Sequence, residues 1–386
     1  MAWRGDRVNP PERVGGVGLG GRFLASPAWD SSASLPGVTH FIESVFAKLK
    51  RHPKRIVFPE GTEPRVLRAA EQCARMRMIS PILLGVRDEV EAAAEREGVS
   101  LDHVMIIDPA TASDLDAFCR RLEKLERYRR MGVTDARATM VKPYYFGAMM
   151  LQYGQADGLV GGADAYSGAL LRPLFHIIKP LPGVKTFSSC MVIELKDRQF
   201  GEDGVLYLAD CGVIPSPSIE QLGSIAFQTG RLARQLSGLT PRVAMLSFST
   251  KGSARTPETD RVVAATEYAR MRAQEEGVEL DIDGEMQADT ALDPELAQRK
   301  APGSLVAGRA NVLIFPDLNS GNIASKLIRH VAGARTFGQI LLGLSKPAAD
   351  LSRGSTVDDI VGVAAIVGLQ AIEYRKLYPQ GDPDAL

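Results

Sequence analysis

Residues 55–85 read RIVFPEGTEPRVLRAAEQCARMRMISPILLG. The stretch opens as a short strand at 55–59, turns at Glu60-Gly61-Thr62 and follows a helical pattern from Pro64 to Arg77. It closes on a second apolar strand at 81–85. A charged helix at 88–98 and a third strand, VMII at 104–107, continue the alternation. Short apolar strands spaced by helices predict an α/β fold whose sheet is mostly parallel and covered by helices on both faces.

The alternation extends in both directions. Upstream, Thr39 can cap a helix with the apolar stripe Phe41, Ile42, Val45, Phe46 and Leu49, stopped by Pro53. Downstream, 114–153 is helical, and 156–163 is a strand ending in a glycine-rich turn. A helix from about Ser167 carries Leu171-Arg172-Pro173. Strands follow at 185–195, 204–209, 243–248, 280–283 and 312–315, with helices at 218–235 and after 316–322. The expected organisation is a flexible tail at 1–37, a first α/β domain from 38–185 plus 340–386, and a second at 186–339. Gly16-Val17-Gly18-Leu19-Gly20-Gly21 satisfies GxGxxG, but no strand precedes it and no amphipathic helix follows, so it is read as flexible sequence.

Near the C-terminus, Asp350-Leu351-Ser352-Arg353-Gly354-Ser355-Thr356-Val357-Asp358-Asp359 runs into a nearly all-apolar helix at 360–372. Such a helix is buried on all sides. Its N-terminus gathers hydroxyls, a guanidinium and two carboxylates, and a helix N-terminus suits an anion. The plainer alternative is a capping box, Thr356 with Asp359, beside ordinary turn residues. Ser249-Thr250-Lys251-Gly252-Ser253 likewise offers an anion nest or an ordinary turn. Asn319 and Asn322 either cap their helix or meet a ligand, and Arg172 is either a phosphate fork or a surface arginine.

Composition limits the function classes. With 46 basic and 46 acidic residues the net charge is zero, which argues against a nucleic-acid or other polyanion surface. Four cysteines without CxxC fit a reducing cytoplasm, and five scattered histidines give no metal motif. No run is long enough to span a membrane, and the start lacks a hydrophobic signal core.

Several of these segments together resemble the phosphate acetyltransferases (phosphotransacetylases). They are DLSRG with DDIV at 350–361, the 156–163 strand with LRP at 171–173, and STKGSA at 249–254. DGEMQAD at 283–289, KAPGS at 300–304 and FPDLNSGN at 315–322 extend the likeness. The resemblance covers about residues 55–372 and implies two α/β domains with an active-site cleft between them. It implies transfer of an acetyl group between coenzyme A and inorganic phosphate, in a cytoplasmic homodimer with no bound cofactor or metal. Coenzyme A, acetyl phosphate and phosphate are then the partners.

By the same resemblance, Asp359 is the general base for the coenzyme A thiol, Ser352 donates to the tetrahedral oxyanion and Arg353 holds carbonyl or phosphoryl oxygens. Arg172 binds the acyl phosphate. Ser249, Thr250, Lys251, Gly252, Asn319, Gly321 and Asn322 join the substrate site. The family's coenzyme A arginines align with Tyr128 and His330, so the neighbouring Arg127 or Arg129, and Arg329, are expected to serve instead. An ordinary carboxylate facing a thiol leaves roughly 6 kcal/mol to recover if a free thiolate forms, so the site must stabilise that charge or couple proton removal to attack. Two alternatives are a butyryl or propionyl transferase and a catalytically silent acyl-CoA sensor like the related domains fused to malic enzymes. A 2-hydroxyacid dehydrogenase would need clustered aspartates and a Tyr/Lys pair, which are not found.

Overall fold

The computed structural model describes residues 40–125 and 133–377. Helix α1 (His40–Lys50) leads to β1 (Lys54–Phe58), α2 (Pro64–Arg75), β2 (Ile79–Leu84), α3 (Arg87–Glu97) and β3 (Met105–Ile107). Among the described residues, the helical stretch expected at 114–153 holds three helices, α4 (Leu115–Lys124), α5 (Ala136–Met140) and α6 (Pro143–Gln152). Next come β4 (Gly158–Gly161), α7 (Ser167–Ile177), β5 (Ser188–Glu194), β6 (Val205–Ala209) and α8 (Ile219–Ser237). Then follow β7 (Arg242–Leu246), α9 (Pro257–Glu275), β8 (Asp281–Met286), α10 (Ala288–Leu292), α11 (Pro294–Lys300) and β9 (Val312–Ile314). The described residues end with α12 (Leu318–Val331), β10 (Arg335–Leu342), β11 (Ala348–Asp350) and α13 (Val357–Leu377). Helices α9, α10 and α11 and strands β10 and β11 go beyond the sequence reading.

The strands form one eleven-stranded sheet in the order β3-β2-β1-β4-β11-β10-β5-β6-β9-β7-β8. Seven of its ten pairings are parallel. The three antiparallel ones, through β10 and β5, join a parallel set on each side. The expected mostly parallel α/β sheet is therefore present. Among the described residues no helix is long and apolar enough to cross a membrane.

Helix α13 lies at the centre. Ile360, Val363, Ala364, Ile366 and Val367 are buried, and the helix packs on α1, α2, β1, β4, β10 and β11. Gly158 at the start of β4 makes room for it: a Cβ there would lie 2.4 Å from Val367 and 2.8 Å from Ile56. The fit aligns the N-terminus of α13 with the C-terminal ends of β4 and β11, where α/β sheets place their sites. Gly158→Ala overpacks this contact and is expected to cost about 1–3 kcal/mol. Urea unfolding measures it; unchanged stability would mean that α13 sits less tightly on β4.

Candidate active site

Asp359 occupies the first turn of α13. Its Oδ2 accepts the Thr356 N–H at 2.9 Å while the Thr356 hydroxyl accepts the Asp359 N–H at 3.2 Å, a reciprocal cap. Arg329 also donates to Oδ2 at 3.1 Å, and the same Nη2 donates to the Gly354 carbonyl at 3.0 Å. No described residue donates to Oδ1. The Asp359 side chain is 8% exposed, so one oxygen is fixed and the other is available at a largely dry surface.

The turn before the helix is closed by its own hydroxyls. Ser352 N–H donates to Ser355 Oγ at 3.2 Å, Ser355 N–H to the Ser352 carbonyl at 2.8 Å, and Gly354 N–H to Ser352 Oγ at 3.2 Å. Ser352 Oγ thus accepts from within the turn, and no described group accepts its own proton. Ser352 and Arg353 are exposed, and no described residue takes the Arg353 guanidinium.

The segment after β1 supports this turn from below. Glu60 accepts the N–H groups of Gly162, Ala163 and Asp164 at 2.9, 2.8 and 2.8 Å, and the Tyr144 hydroxyl at 2.7 Å. Arg65 donates to the carbonyls of Arg353, Ser355 and Ala163 at 2.7, 3.0 and 2.7 Å. Asp350, 4% exposed at the end of β11, lies under Gly162; a Cβ on that glycine would be 2.3 Å from its Oδ1. Gly162 also has φ +96°, a conformation that favours glycine. Burial pushes the Asp350 carboxyl up to about 6, with the Ser167 hydroxyl opposing and Glu60 adding to the rise.

Residues 40–368 match the phosphate acetyl/butaryl transferase family. The chain belongs to that family. A phosphate acetyltransferase of Thermoanaerobacterium thermosaccharolyticum is 46% identical over 330 residues, 86% of this chain and 99% of that one. One from Acetivibrio thermocellus is 41% identical over 331 residues, 86% and 98% of the two chains. A phosphotransacetylase structure from Streptococcus pyogenes has a TM-score of 0.77 at 37% identity, covering 86% and 99%.

Within this family member, Ser352, Arg353, Asp359 and Arg329 come together. Arg172 lies on α7 beside Tyr145, whose hydroxyl is pushed up by burial and back down by that guanidinium. No described residue accepts from Arg172. Arg127 and Arg129, like Tyr128, Thr39 and the tail at 1–37, lie outside the described residues. The cap of α12 is Asp317, which accepts the Ser320 N–H at 2.9 Å, rather than either asparagine. Asn322 donates to the Cys211 carbonyl at 3.0 Å, Gly321 packs on the Asp210 carbonyl, and Asn319 is exposed.

The turn at 249–252 uses its donors internally. Glu285 accepts the Gly252 N–H at 2.8 Å and the Ser249 hydroxyl at 2.9 Å, Lys251 pairs with Asp283, and Thr250 shares its hydroxyl with Thr290 at 3.3 Å. This turn follows β7, five strand positions from β11, or about 24 Å along the sheet. All four cysteines are buried, and burial pushes the Cys73 thiol up to about 12 and Cys190 and Cys211 upward as well. None is poised as a nucleophile.

Sequence reasoning missed Glu60, Arg65 and Asp350; for Glu60 and Arg65 the position just after β1 was the available signal, and for Asp350 its place beside Ser352 and Arg353. Asp350 yields a pH prediction. An acid whose pKa is raised on folding binds its proton more tightly in the folded state, so stability falls as pH rises from about 4 to about 6 and the deficit persists above. The shift from 3.8 to about 6 corresponds to at most ~3 kcal/mol. Asp350→Asn is expected to gain unfolding free energy relative to the parent at pH 7.5 but little at pH 4. Urea titrations at the two pH values test this, and a pH-independent difference would show that Asp350 titrates like an exposed carboxyl.

Proposed function

We propose that the chain is a phosphate acetyltransferase, interconverting acetyl-CoA plus phosphate with acetyl phosphate plus CoA. The observation that carries the chemistry is Asp359, with Oδ2 tied by the cap and Arg329 while Oδ1 is unengaged. Oδ1 takes the coenzyme A thiol proton as sulfur attacks the acyl carbon. Ser352 donates its free hydroxyl proton to the developing oxyanion, Arg353 grips the carbonyl or phosphoryl oxygens, and Arg172 holds the departing phosphate. Transfer is direct within a ternary complex. The choice of acetyl over butyryl or propionyl rests on the names of the relatives above, and the intact Ser352, Arg353 and Asp359 favour an enzyme over a silent sensor.

The two parallel strand sets correspond in this proposal to the domains 38–185 with 340–386 and 186–339, with the cleft between them and the unit a cytoplasmic homodimer. Arg329 has a double role. Its Nη2 aligns Asp359, leaving Nη1 and Nε for coenzyme A, with Arg127 or Arg129, both outside the described residues, as the expected second arginine. Of the second domain's expected share of the substrate path, Asn319, Lys251 and Gly252 are exposed to it, whereas Ser249, Thr250 and Gly321 are buried and act from behind and Asn322 is held on the Cys211 carbonyl.

A thioester absorbance assay with acetyl, propionyl and butyryl phosphate tests the activity and ranks the acyl groups; no turnover with any of them would favour the sensor. Asp359→Asn keeps the cap and is expected to lower kcat by ~10²–10⁴ with KM nearly unchanged. Asp358, half-exposed and 3.7 Å from Arg335, is the control carboxylate. If Asp358→Asn abolishes turnover while Asp359→Asn spares it, the base is misassigned.

Arg172→Lys retains charge but loses the planar fork, so KM for acetyl phosphate should rise and kcat fall while KM for CoA holds. A rise confined to the KM for CoA would move Arg172 to the other substrate.

A further inference from the structure

Arg65 is the one residue of the β1–α2 segment whose side chain reaches the turn that carries Ser352 and Arg353. It stands one residue inside α2, after Pro64, and Glu63 fixes it there. The Glu63 Oε2 caps the helix through the Val66 N–H at 2.9 Å, while Oε1 accepts Arg65 Nε at 2.6 Å. With its stem so held, the guanidinium spreads over three main-chain carbonyls on two other segments. Nη1 takes Arg353 and Ser355, and Nη2 takes Ala163. The two Nη1 acceptors flank Gly354, whose own carbonyl is taken from the other side by Arg329. Three successive carbonyls of the turn, at 353, 354 and 355, are therefore bound by two arginines from different helices.

The Ala163 peptide unit is similarly gripped on both sides of its residue. Its N–H goes to Glu60 and its carbonyl to Arg65. Glu60 and Arg65 flank one short turn, so a single rigid element ties the glycine-rich turn after β4 to the turn after β11. Helix α7, which carries Arg172, begins four residues beyond Ala163. A planar fork meets acceptors in several fixed directions; an ammonium is a point charge that cannot span them at once.

We propose that Arg65 is a positioning residue for acyl transfer, setting the Ser352-Arg353 turn against the Arg172-bearing helix without touching substrate. The proposal rests on the acyltransferase reading above, but the clamp itself can be tested without turnover. Positioning groups act through geometry, and displacement of about 1 Å can cost 10²-fold in rate.

The experiment compares the parent with Arg65→Ala, Arg65→Lys, Arg65→Gln and Arg55→Ala. Arg55 is a matched control: it bonds Asp157 and the Gly154 carbonyl at the far end of β1 and has no contact with the site. Steady-state kcat and KM with acetyl phosphate and CoA, melting temperature and amide exchange across 353–356 are measured for each. Arg65→Ala is expected to lose kcat about 10²-fold with both KM values within threefold. Lysine should restore less than a tenth of that loss, and exchange at 353–356 should accelerate at least tenfold. Arg55→Ala should lower the melting temperature comparably while keeping kcat and that exchange.

If Arg65→Ala destabilises as Arg55→Ala does but keeps kcat within threefold, the role is structural and the proposal falls. Full rescue by lysine also overturns it, since charge alone would then suffice. Should the alanine variant fail to fold, the glutamine and lysine variants carry the same comparison. If the parent itself makes no thioester, the acyltransferase reading falls; unchanged exchange at 353–356 in the Arg65 variants would independently overturn the clamp.

Discussion

A helix apolar on every side is stable only where protein covers every side, and α13 imposes that demand on the rest of the chain. Helices α1, α2 and α8 and the strands of the central sheet supply the cover. Glycines at 158 and 362 let neighbours approach: a Cβ at 362 would lie 2.5 Å from the Phe337 ring. A helix held this closely cannot slide, so its first turn has one position. Asp359 inherits that position from contacts made up to several turns away. The precision of the site thus begins in apolar packing, before any polar group is considered.

Capping and catalysis first look like competing accounts of Thr356 and Asp359. The geometry makes them compatible, because the carboxylate has two oxygens. The cap and Arg329 use Oδ2, which orients the group, and Oδ1 is left over. In the role proposed for Asp359, a base held through one oxygen loses rotamer freedom before substrate arrives, which lowers the entropic cost of reaching the reactive arrangement. Helix α12 delivers Arg329 to this point. Asn322 and Arg329 are seven residues apart, about 10 Å and nearly two turns, so they share a face. One binds the Cys211 carbonyl after β6 and the other binds Asp359, so α12 bridges the two parallel strand sets.

The β/α alternation and the buried C-terminal helix were legible in the sequence because apolar runs between glycine and proline turns carry their own signal. Helix α9 was not, since its buried face is built of Ala, Thr and Val among charges, with weak contrast between faces. Strand β11 has three residues, too few to show a period. Within the site, Ser352, Arg353 and Asp359 were legible through family resemblance, whereas Glu60 and Arg65 were hidden for a physical reason. Their backbone partners lie 98 to 290 residues away, and a carbonyl or an N–H looks the same in every residue. The partnership of Arg329 with Asp359 depended on the phase of α12 against α13, which no local pattern encodes.

Under the proposed function, a chain of zero net charge binds anionic substrates with arginines that its own carboxylates would otherwise neutralise. Asp283 and Asp359 do pair with cations, but several other acids near the strand ends are directed elsewhere. Glu60 takes three backbone N–H groups, Asp210 takes those of Gly212, Val213 and Ile214, and Glu285 takes that of Gly252. Each carboxylate is satisfied by neutral donors of a turn, so it stiffens the turn without consuming a cation. Asp350 is handled differently: burial raises its pKa, which reduces its negative charge in mildly acidic solution. Arg353 and Arg172 remain without described partners. Anion recognition then depends on where negative charge has been occupied, rather than on an excess of positive charge, and the backbone N–H groups of the turns do the occupying.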